Sequence, residues 1–136
     1  MPVVTGGIRG FGMKPFGIAL LQNDTTTIRA LCSSLCHYFH SIHAATNISE
    51  LRHLIAKHRI FIAIVDIELA SLSEIDLLRR DFASLCIVCT HRLADEEMWT
   101  AALGIGAADM CLSRDTSGIV TAALRNTDVF PHPAAA

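Results

Sequence analysis

The sequence lacks a long apolar run, a strong net charge and the layout of a signal peptide. No apolar stretch approaches the ~20 residues that a membrane-spanning helix needs. The net charge of −2 gives no electrostatic attraction for nucleic acid or for an anionic membrane. The amino terminus has no basic segment followed by an apolar one. These absences predict a cytoplasmic protein that binds neither nucleic acid nor membrane, and whose five cysteines are reduced thiols.

A glycine-rich phosphate loop is absent as well. The first predicted strand leads into Gln22-Asn23-Asp24-Thr25, which contains no glycine. Those residues cannot bring the backbone as close to a pyrophosphate as glycines do. The sequence therefore favours a signalling module over a metabolic enzyme. The enzymatic alternative is a flavodoxin-like or hydrolytic protein that uses Asp66 together with Asp24.

Hydrophobic periodicity predicts five strands alternating with five helices. The uninterrupted apolar run from Ile60 to Val65 is typical of a central parallel strand, buried on both faces. Alternating strands and helices predict an α/β fold: a five-stranded parallel sheet, order 2-1-3-4-5, with helices on both faces. The predicted strands are 16–23, 41–46, a run ending at Asp66, 85–90 and 109–113. The predicted helices begin near Thr25, at Asn47, and near residues 73, 95 and 116.

The pattern also predicts domain limits and one helix cap. Asn47 is expected to cap the second helix, with Glu50 completing a capping box. One domain is expected over residues 16–126. Residues 1–15 are expected to form a flexible leader and residues 127–136 a disordered tail.

Polar residues follow four of the apolar segments. Asp66 ends the third strand, Thr90 the fourth and Arg114 the fifth, while Asn23-Asp24 follow the first. The carboxyl ends of parallel strands meet at one crevice, where ligands bind in open α/β sheets. An isolated Asp at such a place would often only cap a turn. The ordered set predicts a functional site instead.

This order of elements and strand-end residues resembles the receiver domain of bacterial two-component response regulators, over about residues 16–126. The resemblance implies that Asp66 accepts a phosphoryl group from a histidine kinase or phosphotransfer protein. It also implies that Thr90 hydrogen-bonds a phosphoryl oxygen and that Arg114 pairs with its charge. Output would pass through a partner protein or through a domain outside this chain.

The resemblance further implies a Mg²⁺ site. Its ligands would be Asp24, Asp66 and the backbone carbonyl of Glu68, with Asn23 as a further oxygen donor. Carboxylates suit this hard cation, and the ion would neutralise charge during phosphoryl transfer. Because Asn23 replaces one of the family's two acids, weak Mg²⁺ binding is expected.

Other positions also depart from the family pattern. Arg114 replaces the usual lysine, and Ser113 is a rival for that position because this stretch is one residue longer. Ala70 replaces a proline, and Met110 or Cys111 replaces a switch aromatic. The sequence thus predicts an atypical receiver, and the alternative is a phosphorylation-independent pseudo-receiver that serves for dimerisation or partner binding.

Two further clusters have competing interpretations. Trp99 on the fourth helix is a half-buried anchor or part of a homodimer surface formed by the fourth helix, fifth strand and fifth helix. A zinc site could be drawn from five residues that lie close in the sequence: Cys32, Cys36, His37, His40 and His43. Both cysteines, however, are predicted on the apolar face of the first helix, where buried thiols are common.

Overall fold

Five parallel strands form one sheet in the order β2-β1-β3-β4-β5 in the computed structural model, which describes residues 14–127. The strands are β1 Lys14–Leu21, β2 Phe39–Ala45, β3 Ile60–Asp66, β4 Cys86–His91 and β5 Asp109–Leu112. The helices are α1 Thr25–Leu35, α2 Ile48–Lys57, α3 Leu72–Asp81, α4 Glu96–Gly104 and α5 Thr116–Thr127. The predicted fold and strand order are confirmed.

The sheet separates two apolar clusters because successive side chains of a strand point to opposite faces. One cluster holds Ala63 and Val65 with residues of α2, α3 and α4. The other holds Ile62 and Ile64 with residues of α1 and α5. The central strands are therefore buried on both sides, as their continuous apolar runs predict.

The first strand begins and ends two residues earlier than predicted. It runs from Lys14 to Leu21, whereas the prediction was 16–23. Gln22 and Asn23 therefore lie beyond the strand, at the edge where the crevice opens. Residues 14 and 15 of the predicted leader therefore belong to β1, and Thr127 of the predicted tail is the last residue of α5. The rest of the predicted leader and tail lies outside the described residues.

Helix caps agree with the sequence in part. The Asn47 side chain accepts a hydrogen bond from the backbone N–H of Glu50, as predicted. The Glu50 carboxylate instead accepts from the backbone and hydroxyl of Thr46, so the predicted box at Asn47 is incomplete. A complete capping box forms at Ser71 and Glu74, which the sequence analysis did not predict.

The cysteines of the first helix differ from each other. Cys32 is half-buried and packs against the cluster on the α1 side. Cys36 is exposed at the carboxyl end of α1, so its predicted place on the buried face is wrong. The last residue of the helix is Leu35, and Cys36 is its C-cap.

Candidate functional site

Three polar residues form a row across the carboxyl edge of the sheet. Asp66 pairs with Thr90 in the ladder between β3 and β4. Leu21 pairs with Val65 in the ladder between β1 and β3, so the next residues, Gln22 and Asp66, follow side by side. Gln22, Asp66 and Thr90 are all buried. The fold thus places an amide, a carboxyl and a hydroxyl in register on three adjacent strands.

The carboxyl of Asp66 lies at the centre of this row, and Asp66 is only 5% exposed. Its Oδ1 accepts a hydrogen bond from the backbone N–H of Glu68 at 2.8 Å. Burial raises the pKa of Asp66, the Glu68 backbone bond opposes that rise, and the charge of Glu68 adds to it. The balance favours the protonated form more than for a solvated aspartate.

The hydroxyl of Thr90 is already hydrogen-bonded inside the protein. Thr90 is fully buried, and its Oγ1 accepts from Nε2 of Gln22 at 2.9 Å. The same amide lies within 3.5 Å of the Ile64 carbonyl oxygen. A buried hydroxyl with a buried amide partner is costly to separate, because each would lose a hydrogen bond away from water. The bond holds the Thr90 side chain in one position.

Asp24 lies at the rim of the crevice rather than in the row. Its carboxylate accepts from the backbone N–H of Thr27 at 3.1 Å and from the Thr27 hydroxyl at 2.9 Å. It is therefore the N-cap of α1, and these bonds lower the pKa of Asp24. Asn23, beside it, is exposed.

An ion pair spans another side of the crevice. Nε of Arg92 lies 2.9 and 3.1 Å from the two carboxylate oxygens of Glu68. Arg92 follows β4, and its side chain is 67% exposed. An exposed pair of this kind contributes little stability. It does occupy both oxygens of the Glu68 side chain.

Ser113 and Arg114 complete the crevice after β5. Arg114 is exposed, whereas Oγ of Ser113 is buried and has no hydrogen-bond partner among residues 14–127. The crevice encloses about 270 Å³. Six residues predicted for the site line the crevice: Asn23, Asp24, Asp66, Glu68, Ser113 and Arg114. Three further residues complete the lining: Gln22, Thr27 and Arg92. Thr90 lies beneath this lining, bonded to Gln22.

The residues predicted to hold Mg²⁺ all line the crevice, and the carboxylates of Asp24 and Glu68 have other partners there. In the described range no group of three His, Cys, Asp or Glu side chains is placed to hold a metal ion. The Asp24 carboxylate caps a helix and the Glu68 carboxylate pairs with Arg92. Mg²⁺ binding through Asp24, Asp66, the Glu68 carbonyl and Asn23 stays a prediction.

Gln22 is the residue of this site whose place the sequence analysis missed. Because β1 ends at Leu21, Gln22 stands opposite Asp66 and Asp24 falls two positions further along the chain. A signal was present in the sequence: Gln22 is two residues after Leu20 and so shares its face of the sheet. The sequence analysis instead expected Asn23 and Asp24 to be the residues of this segment that take part in the site, and it did not use the alternation of side chains along the strand.

The surface of α4 has mixed exposure. Trp99 is half-buried against the core, and its indole N–H has no hydrogen-bond partner in the described part of the chain. Leu103 is 48% exposed nearby.

None of the helices within residues 14–127 is long and apolar enough to cross a membrane.

Comparisons with known proteins give matches at the level of structure only. No protein-family model matches the sequence, and no curated protein does either. A response regulator from Thermotoga maritima superimposes with a TM-score of 0.73 at 18% identity, covering 80% of this chain and 94% of that one. A LuxR-family two-component response regulator from Aurantimonas gives 0.74 at 14% identity, covering 90% and 93%. A two-component response regulator from Clostridium difficile gives 0.71 at 18% identity, covering 82% and 93%.

These similarities identify the fold. The five-stranded sheet with order β2-β1-β3-β4-β5 and its five helices is the fold of response-regulator receiver domains. The fold that the sequence resemblance implied is therefore confirmed.

Proposed function

We propose that this chain is a receiver-type signalling module that acts through protein contacts and does not depend on phosphorylation of Asp66. One observation carries the proposal: the buried amide of Gln22 engages the Thr90 hydroxyl both as donor, through Nε2 at 2.9 Å, and as acceptor, through Oε1 at 3.3 Å. A phosphoryl group on Asp66 would need that hydroxyl as a donor. Thr90 would then have to give up the hydrogen bond that it donates to Oε1 of Gln22, a buried partner, which disfavours the change.

The electrostatics of Asp66 support the same proposal. A carboxyl attacks phosphorus in its ionised form, and burial raises the pKa of Asp66. The acidic groups around it already have partners in Thr27 and Arg92. A divalent cation would have to compete with these partners for the carboxylate oxygens, and its affinity depends on the charged ligands available.

The second candidate function is phosphoryl acceptance by Asp66 from a histidine kinase or phosphotransfer protein. Asp66 and Thr90 are paired in the sheet, and Arg114 lines the crevice above Asp66. Arg114 would supply positive charge for a phosphoryl oxygen. This arrangement favours the candidate, and Mg²⁺ would support the transfer if the metal binds.

Treatment with acetyl phosphate separates the two candidates. The protein is incubated with and without millimolar Mg²⁺, and intact mass is measured alongside Asp66→Asn as the control. We expect no phosphoryl adduct on the natural sequence. A Mg²⁺-dependent adduct that is absent from Asp66→Asn would overturn phosphorylation independence and favour the second candidate.

A pair of acidic substitutions sharpens the same test. Gln22→Asp with Asn23→Asp frees Thr90 from its amide partner and adds two carboxylates at the crevice. We expect this variant to bind Mg²⁺ more tightly than the natural protein, as measured by amide chemical shifts. Equal Mg²⁺ responses in both proteins would contradict the reasoning from Gln22.

Contact with partners is proposed to use the surface of α4, β5 and α5, including homodimer formation. Leu103 is exposed there beside Trp99, and exposed apolar groups of this kind mark contact sites. Light scattering at high micromolar concentration tests it. Leu103→Asp should reduce the measured mass to that of a monomer, whereas Leu77→Asp, at an equally exposed leucine of α3, should not. A monomer in the natural protein would contradict the homodimer.

A further inference from the structure

A second cleft lies at the opposite, amino-terminal end of the sheet, where β1 and β2 begin. It encloses about 510 Å³ beside the loop that joins α2 to β3. No acidic residue lines it among the residues that the structure describes. Its polar lining is basic or neutral: His40, Ser41, His43, Lys57, His58 and Arg59.

Two histidines of this cleft are held against each other. The rings of His43 and His58 stack with centroids 4.2 Å apart and an angle of 20° between their planes. Nε2 of His43 lies 2.9 Å from Oγ of Ser41, which fixes the ring of His43 from a second side. Both histidines are half-buried. The pair is thus positioned by packing and by a hydrogen bond.

Gly17 makes room for this arrangement. A Cβ at Gly17 would lie 2.6 Å from Oγ of Ser41 and 3.3 Å from Cδ2 of His43. The backbone N–H of Gly17 donates to the Arg59 carbonyl at 2.7 Å, so the loop is fixed to β1 at this point. The register of β1 also shifts here relative to both neighbouring strands. The local irregularity of β1 therefore accommodates the histidine cluster.

The charges of the cleft point to an anionic ligand. Lys57 and Arg59 each carry a full positive charge and lie on either side of His58 in the sequence. Burial and the nearby His58 ring lower the pKa of His43, so the stacked rings resist carrying two positive charges alone. An anion within the cleft would offset that repulsion and favour protonation of both rings.

We propose that this cleft binds a small oxyanion of the phosphate type, and that binding protonates the stacked pair of His43 and His58. The groups that face the pair are His40 from β2, Lys57 from α2 and Arg59 from the following loop. All of them are cationic or become so on acidification, so the positive charge of the cleft rises as pH falls. The site is independent of the crevice at Asp66, because it lies at the other end of the strands.

Histidine ring signals in NMR spectra test the proposal. The full chain is titrated between pH 5 and 8 in sodium phosphate or sodium chloride at equal ionic strength, and sulfate is a third arm. We expect the titration midpoints of His43 and His58 to move to higher pH in phosphate, while that of the exposed His53 stays unchanged. Equal midpoints in phosphate and chloride would overturn the proposal, as would an equal movement at His53.

Matched charge variants locate the ligand. Lys57→Gln and Arg29→Gln remove the same charge from exposed positions, but only Lys57 lines the cleft. Lys57→Gln should weaken phosphate binding about two- to fivefold, the size expected for one surface charge contact. Arg29→Gln should leave it unchanged. Equal weakening in both variants would show nonspecific attraction and would refute a site at His43 and His58.

Discussion

The two ends of the sheet satisfy their charged groups in opposite ways. At the carboxyl end, Glu68 pairs with Arg92, Asp24 caps α1 and the Gln22 amide holds Thr90. At the amino end, basic side chains converge on one cleft whose lining, within residues 14–127, contains no acidic residue. The same sheet therefore has one end whose polar groups bind each other and one end whose charges are left for a ligand.

The difference teaches that the position of a crevice does not by itself determine what it binds. Open α/β sheets bind ligands at the carboxyl ends of their strands. Polar groups that already have buried partners must lose them before they can bind anything else, which weakens binding. Cations that have no acidic partner among residues 14–127 of the cleft lining have no such cost. Variants that disrupt each network separately test this contrast.

The largest effect is expected from removing the amide of Gln22. Gln22→Leu leaves the buried Thr90 hydroxyl without its partner, and we expect a loss of about 1–3 kcal/mol in the free energy of unfolding. Urea denaturation of the natural protein and the variant measures this loss. A loss below about 0.5 kcal/mol, within the usual range of surface substitutions, would show that the bond does not hold Thr90 in place.

A double-mutant cycle is the control for that experiment. Thr90→Val removes the hydroxyl at nearly constant shape, so Gln22→Leu with Thr90→Val leaves neither group unpaired. The double variant should lose less stability than the sum of the single variants, with a coupling energy of about 0.5–3 kcal/mol. Additive losses would indicate independent packing effects.

The sequence predicts the interiors of the strands better than the positions of their ends. The run from Ile60 to Val65 indicates a buried central strand because apolar residues continue without alternation. Runs of this kind mark β1, β3 and β4, and the alternation of strands with helices is enough to predict the parallel sheet. The place of Gln22 was harder to predict, since it depends on β1 ending at Leu21 and on its register with β3.

The amino-end cleft could not be predicted from the sequence, for a related reason. His43 lies on β2 and His58 follows α2, and nothing local links them. Their stacking depends on the register between β1 and β2 and on the shift of β1 at Gly17. Register is a property of strand pairing, and an irregularity in it leaves little trace in periodicity.

Gly17→Ala tests the amino end. The added Cβ would press on Ser41 and His43, so we expect a loss of about 1–2 kcal/mol, in the lower part of the range for overpacking. Gly104→Ala is the matched control because a Cβ there has no atom within 4 Å. It should be neutral or stabilising by about 0.4–1 kcal/mol. Thermal denaturation compares the two, and equal behaviour would contradict close packing at Gly17.

The pH dependence of stability tests the carboxyl end. Because burial raises the pKa of Asp66, the ionised carboxylate is disfavoured in the folded state and reduces stability as pH rises through the folded pKa. Asp66→Asn should be more stable than the natural protein at pH 7, by on the order of 1 kcal/mol. That advantage should shrink as pH falls and Asp66 becomes protonated. A constant difference between pH 4 and 7, measured by urea denaturation, would refute a raised pKa.

The smallest effect is expected from the rim of the crevice, with Glu68→Gln. Loss of the pair with the exposed Arg92 should cost less than about 0.5 kcal/mol. The same change removes a negative charge that raises the pKa of Asp66, so the Asp66 carboxyl signal should titrate at lower pH. Asp81→Asn is the control, since it removes the same charge and breaks the exposed pair with Arg52 away from the crevice. If both variants moved the Asp66 titration equally, the effect would come from general surface charge and Glu68 would have no specific influence on Asp66.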